Sequence, residues 1–207
     1  MSMNKVIHAA VRRDLGRFRT ALGTFRDGDR GRAAGLLRAW TNFDAQLTEH
    51  HEGEHEIAWP AMRSIGISGS TIDSFDAEHE AMAADLATTR AAMAKLGSTA
   101  TRADADAAAT AMEKLQTTTV THLDHEEAET ETALTQQHDD PAMKEMGKQF
   151  GRRVGMPKAG IFFAWVQDGA TPAEKSALRQ SVPGPVLAVI GGAFGRPYRK
   201  EIAPVWR

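Results

Sequence analysis

The sequence predicts an all-α protein, an up-down-up-down four-helix bundle over residues 1–140 followed by a helical C-terminal extension over 141–207. Three observations carry the prediction. Apolar residues recur every three or four positions through four long segments. Short polar or glycine-containing breaks separate those segments, and no alternating strand pattern competes. Each segment also interrupts its apolar stripe with a histidine, at His8, His50, His79 and His122.

The first helix is expected from about Met3 to Phe25, with the stripe His8, Val11, Leu15, Phe18, Leu22, Phe25. The run RDGDRG ends it. A second is expected from about Arg32 to Trp59, with Leu36, Trp40, Phe43, Leu47, His50, Glu54 and Ile57 inward. Pro60 and the stretch Gly66–Ser70 should stop it. The third should begin at Ser70 or Thr71 with Asp73 in its first turn, and Gly97 should close it. Its stripe is Ile72, Phe75, His79, Met82, Leu86, Met93, Leu96. The fourth should run from about Thr101 to Gln137 with Ala108, Met112, Leu115, Thr119, His122, Glu126 and Ala133 inward, until His138–Pro141 breaks it.

Six ionisable groups thus fall on core stripes: the four histidines, Glu54 and Glu126. Unpaired, each costs several kcal/mol, and together they rival a domain's whole net stability of roughly 5–15 kcal/mol. A bound metal centre removes the conflict. The register agrees. At about 1.5 Å rise per residue, His8 lies as far from the end of the first helix as His50 lies from the start of the second. The same arithmetic makes His79 a neighbour of Glu54 and brings His122 level with His79. His50/Glu54 and His122/Glu126 are each four residues apart, so each pair shares a helix face. Two carboxylates between two metals, with imidazoles outside, make a dinuclear site. Nitrogen and oxygen donors without sulfur suit iron or manganese, and zinc less distinctively.

A rival register uses His51 and His55, with Glu52 and Glu56; His51 borders the stripe and His55 leaves it, so His50/Glu54 is preferred. His125 is expected at the rim as a solvated group, with a base near the ligands as its alternative role. His138 sits at a helix end, where a cation suits the macrodipole, and receives no role in the site. Val11, Leu47, Ile57, Phe75 and Met82, about one turn from ligands, should wall the site off from water. Thr119 should bond back to its own helix, the alternative being donation to a bound oxygen species.

The chain has 207 residues and no cysteine, which excludes disulfides, iron–sulfur clusters and thiolate metal sites. No secretory leader is expected from its first residues, and its longest apolar run, near Val186–Phe194, is too short to span a bilayer. A cytoplasmic protein is the default expectation. Net charge is −2, but residues 1–140 hold 14 Lys+Arg against 23 Asp+Glu, and residues 141–207 hold 11 against 4. The basic tail is expected to lie on the acidic body; a lid over the metal end or a homodimer surface is the alternative. Its apolar residues, from Ile161 to Val166 and from Val186 to Phe194, need burial. Asp140-Pro141 reads as a helix start and Thr171-Pro172-Ala173-Glu174 as a capping box. No nucleic-acid motif is present.

The order His8, then His50-His51-Glu52-Gly53-Glu54 with Trp59-Pro60, then Glu78-His79-Glu80, then His122-Leu123-Asp124-His125-Glu126-Glu127 resembles the hemerythrin and HHE cation-binding family. The resemblance implies a four-helix bundle around two iron ions joined by an oxo or hydroxo bridge. It makes His8, His50, His79 and His122 terminal ligands and Glu54 and Glu126 bridges. One departure stands out: oxygen carriers of the family place a histidine four residues after the third-helix ligand, and here that residue is Ala83. Four imidazoles, two bridging carboxylates and one bridging oxygen fill ten of twelve octahedral positions. Two stay open unless His51, Glu52, Glu56 or Tyr198 adds a ligand. The expected function is therefore reaction with peroxide, foremost its disproportionation. Reversible binding or sensing of dioxygen or nitric oxide is the alternative, and iron handling the lesser one. Ferritin-like chemistry fits less well: Glu52/His55 has its spacing, but Thr119 stands three residues before His122 where a glutamate would be needed.

Overall fold

A computed structural model describes residues 1–207 and is helical throughout, with no strand. Helix α1 spans Met3–Gly23 and starts where the Ser2 hydroxyl accepts the Lys5 N–H. Helix α2 spans Arg30–Gly53 behind an Asp29 cap. Helix α3 (Trp59–Ser64) continues it after a wide turn, described below. Helix α4 spans Gly69–Thr99 and is capped by Ser68. It passes Gly97 and stops at Ala100, whose φ of 56° is left-handed. Gly97 serves packing instead: a Cβ there would meet Leu37 at 2.6 Å. Helix α5 spans Arg102–Gln136, with Thr101 accepting the Asp104 N–H.

The second helix departs from expectation at Pro60, which does not end it. Residues Glu54–Ala58 form one π turn, in which the Trp59 N–H bonds to the Glu54 carbonyl five residues back. A proline ring inside an α-helix clashes with the carbonyl four residues earlier and removes a donor. The widened turn just before Pro60 relieves both problems, and the rod runs on to Ser64. The extra residue also rotates the inward face. Ile57, expected in the wall of the site, is half-buried, while Ala58 and Trp59 are buried in its place.

Each long helix runs opposite to its two neighbours. His8 near the start of α1 meets His50 near the end of α2 and Glu127 near the end of α5. Arg102 at the start of α5 caps carbonyls at the end of α1. His79 early in α4 faces Glu54 and His122, and Thr89 further along reaches the Ala111 carbonyl. Four helices thus close a ring around a shared interior. That interior is split. A cluster of 34 buried apolar residues fills most of it, and a separate cluster of seven, including Trp59, Ile72, Phe75, Leu134 and Met143, caps one end. The histidine and glutamate layer lies between them.

The tail begins with α6 (Pro141–Gln167), broken at Gly155 (φ 66°, ψ 157°), so it is two shorter helices joined at a kink. It continues through α7 (Pro172–Ser181), with the expected capping box, and α8 (Gly184–Phe194), then two short turns, Tyr198–Ile202 and Ala203–Trp206. Its first arm lies on the acidic side of α2, where Arg153 joins Glu49, Glu52 and Glu56. Phe150 packs on Gly53 so closely that a Cβ there would lie 2.6 Å from its ring. Phe163, Trp165, Val166 and Leu178 join the large core. Val186 and Val189, expected to be buried, are exposed: α8 packs one face on α6 and leaves the other open. Tyr198, weighed as an extra ligand, donates instead to Asp168 at 3.0 Å.

Trp165 is fully buried and donates to Asp14 at 2.8 Å, an acid that Arg13 and Arg17 also reach. Replacing Trp165 with phenylalanine removes that donor and leaves the space of one indole ring unfilled. The expected cost is about 1–3 kcal/mol, or a fall in Tm of a few degrees. An unchanged melt would show that the arginines alone satisfy Asp14.

Candidate metal centre

All six predicted residues converge. His8, His122 and Glu126 are at most 1% exposed and Glu54 is 2% exposed. His8 Nε2 stands 3.2 Å from Glu126 Oε2, and His50 Nε2 stands 3.1 Å from Glu54 Oε1. His79 Nε2 lies 3.5 Å from the second Glu54 oxygen and 3.0 Å from His122 Nε2, which is 4.0 Å from Glu126 Oε2. Six atoms here, the Nε2 of His8, His50 and His51, both oxygens of Glu54 and Oε2 of Glu126, are buried without a hydrogen-bond partner. The approaches of His8 to Glu126 and of His50 to Glu54 make no hydrogen bond, whereas His79 and His122 share one. Lone pairs aimed at one another in a dry interior are costly without a cation between them.

The groups sort into two sets, each with four donor atoms within 4.8 Å of one another. One is His8, His50, Glu54 and Glu126; the other is His51, Glu54, His79 and His122. Glu54 belongs to both. The choice between His50 and His51 therefore dissolves. Consecutive residues point about 100° apart around a helix, and each enters a different set. The His51 ring stacks on His79 with centroids 4.0 Å apart. Stripe reasoning underrated His51 because it scores a residue against one bundle axis, and this site is wide enough to use two adjacent directions. His55 and Glu56 are exposed, with His55 on Asp76 and Glu56 on Arg153. Glu52 is likewise exposed on Arg153.

Other carboxylates orient the rings. Glu127 holds His8 Nδ1 at 3.0 Å, and Glu78 holds His122 Nδ1 at 2.7 Å. A carboxylate on one ring nitrogen directs the other's lone pair inward. Glu78 also binds His125 Nδ1 at 2.7 Å, so His125 is not simply solvated. Asn4 donates to Glu126 Oε1 at 2.8 Å, and Trp59 lies against the His79 ring. Sequence reasoning assigned Glu78, Glu127 and Asn4 no role. Only their adjacency to His79, to Glu126 and to the start of α1 hinted at one.

Electrostatics favour donors over protons at four of the five imidazoles; at His8 burial lowers the pKa, but Glu126 and Glu127 raise it by more. Burial, aided by neighbouring histidines, holds His50 and His51 well below the usual histidine range, and it lowers His79 to about 4. Burial also lowers His122, against the pull of Glu78. Burial, with Glu126 beside it, pushes Glu54 well above the usual carboxylate range. Burial would raise Glu126 too, but His8 outweighs it and the net shift is downward. Neutral imidazoles beside an ionised Glu126 suit an N/O-ligated cation, which would also displace the protons favoured at His8 and Glu54.

Thr119 does not bond back to its helix; its hydroxyl is buried without a partner. Val11, Leu47, Phe75 and Met82 are all buried around the site as expected. No helix is long and apolar enough to cross a membrane. No curated protein and no solved structure matches the chain. The hemerythrin HHE cation-binding domain matches residues 5–134, a stretch that contains every residue of both donor sets. On that match, and with the donors gathered in one buried layer, the chain belongs to the hemerythrin HHE cation-binding domain family.

Proposed function

We propose that the chain holds two iron ions and binds one small ligand, dioxygen or nitric oxide, at that pair. The observation that carries this reading is the sharing of Glu54 by two donor sets. His8 and His50 would hold one ion, His51, His79 and His122 the other, with Glu54 and Glu126 between them. Held by these residues, iron would supply reversible redox chemistry toward a diatomic ligand. His51 would add a fifth imidazole, which would leave one open coordination position where two were expected. That favours capture of a single ligand over turnover. The protein's own part is to keep the place dry and rigid. Val11, Leu47 and Met82 exclude water below the layer, Phe75 and Trp59 cover it, and Glu78 and Glu127 fix the ring orientations.

Metal analysis of purified protein should give about two irons per chain. His51→Leu should lower that toward one, while His55→Leu should leave it unchanged. Equal iron in His51→Leu and wild type would remove His51 from the ligand set. Nitric oxide titration of the reduced protein should change its spectrum up to a stoichiometric endpoint; no change would end the binding reading.

Peroxide disproportionation is the second reading, favoured by one observation. The hydrogen bonds from His122 through Glu78 to the partly exposed His125 link the buried layer to the surface. Such a chain suits chemistry that moves protons. Oxygen evolution from peroxide that is equal in wild type and His122→Ala would exclude it.

A further inference from the structure

We infer that the Thr119 hydroxyl donates a hydrogen bond to the small ligand bound at the metal pair, and so positions it and selects for ligands that accept one. The inference rests on the dinuclear reading above and concerns a residue outside the donor sets. Threonines in a helix usually satisfy their hydroxyls by donating to the carbonyl four residues back. On α5, Thr110, Thr117, Thr118, Thr121, Thr130 and Thr135 all do so. Of the two buried threonines within α5, Thr119 and Thr130, Thr119 alone makes no side-chain hydrogen bond, and it is 0% exposed.

Its position explains why that matters. Thr119 lies one turn before His122, on the same inward face. Antiparallel register places three residues at the same depth: Val11, one turn after His8; Leu47, one turn before His50; and Met82, one turn after His79. All are buried. The layer beneath the imidazoles therefore holds three apolar side chains and one hydroxyl. An apolar floor alone would exclude water and would be served as well by valine. A lone buried donor costs stability unless something accepts from it. The atoms above it in the site are lone-pair donors directed at metal, and a ligand at the open position supplies the acceptor the floor otherwise lacks.

Azide is the probe, added to iron-loaded protein whose iron content has first been measured. Thr119→Val keeps the shape and removes the hydroxyl. Its azide affinity should fall about tenfold, while Thr119→Ser should stay within about twofold of wild type. The vibrational frequency of bound azide should shift between light and heavy water in wild type and Thr119→Ser, and lose that shift in Thr119→Val. The metal-free Thr119→Val chain should melt no lower than metal-free wild type, because no protein hydrogen bond is lost. Equal azide affinity in Thr119→Val and wild type at equal iron content overturns this inference alone. A wild type that takes up no iron or no azide overturns the dinuclear reading with it. Should the valine variant fail to fold, Thr119→Ala carries the same expectations for affinity and frequency.

Discussion

Glu54→Leu should empty both metal positions at once. Glu54 is the residue common to the two donor sets, and both of its oxygens lack any other partner. Replacing His8 or His79 removes one donor from one set; replacing Glu54 removes one from each. Metal per chain should therefore drop from two to a small residue, against about one for a single-histidine variant. Stability should move the other way. In the metal-free chain Glu54 is a buried carboxyl beside Glu126, and leucine of similar reach fills the space without a polar group. An unsatisfied buried polar group costs about 1–3 kcal/mol, and a chain of this size shifts its Tm by about 2–4 °C per kcal/mol. Metal-free Glu54→Leu should thus melt several degrees above metal-free wild type. Retention of both metals by the variant would show that Glu54 is not the bridge. A lower melt would show that its carboxyl is satisfied in the native interior.

Removing the metal should change how stability depends on pH, as well as its size. His79 has its folded pKa lowered from 6.5 to about 4. Its contribution is therefore complete above pH 6.5 and is lost as pH falls toward 4, amounting to about 3 kcal/mol over that window. His50, His51 and His122 act in the same direction. Glu54 is opposite: raised well above 4.5, it contributes fully at low pH and loses that contribution as pH climbs past 4.5. His8 joins Glu54. Burial lowers its pKa, but Glu126 and Glu127 raise it by more, and its contribution falls as pH rises past 6.5. The metal-free chain is thus squeezed from both sides and should be most stable in mildly acid solution. Bound cations replace the protons on Glu54 and need the imidazoles neutral, so the loaded chain should be most stable above pH 7. At a free-metal concentration about a thousandfold above Kd, each site adds about 4 kcal/mol. The gap in Tm between loaded and metal-free protein should exceed about 10 °C at pH 7.5 and close as pH approaches 4. A gap independent of pH would mean that these side chains do not hold the metal.

Much of this was legible in the chain itself. The spacing of His8, Val11 and Leu15, or of His79, Met82 and Leu86, reports which face turns inward, and a constant rise reports how deep each residue lies. Those two regularities were enough to bring six ionisable groups on four helices together. The failures have a common cause. His51 enters the site because another helix presents His79 to stack on it, and Glu78 matters because His122 comes within reach across a helix interface. Thr119, on the inward stripe, leaves its hydroxyl unbonded beneath the donor layer. Each depends on a neighbour remote in sequence, which periodicity along one helix does not register. Pro60 misled for a local reason: proline stops a regular helix, and the turn before it is not regular.

That irregular turn separates two jobs along one rod. Everything up to Glu54 answers to the donor layer, and everything from Trp59 onward answers to the cap at the open end. The surplus residue between them is absorbed as a local widening, so the donors and the cap each keep their own register. Deleting Ile57 would make Trp59 the fourth residue after Glu54, restore even winding and leave both Trp59 and the six inward groups in place. The same deletion anywhere else along the rod would turn every later side chain by about 100°.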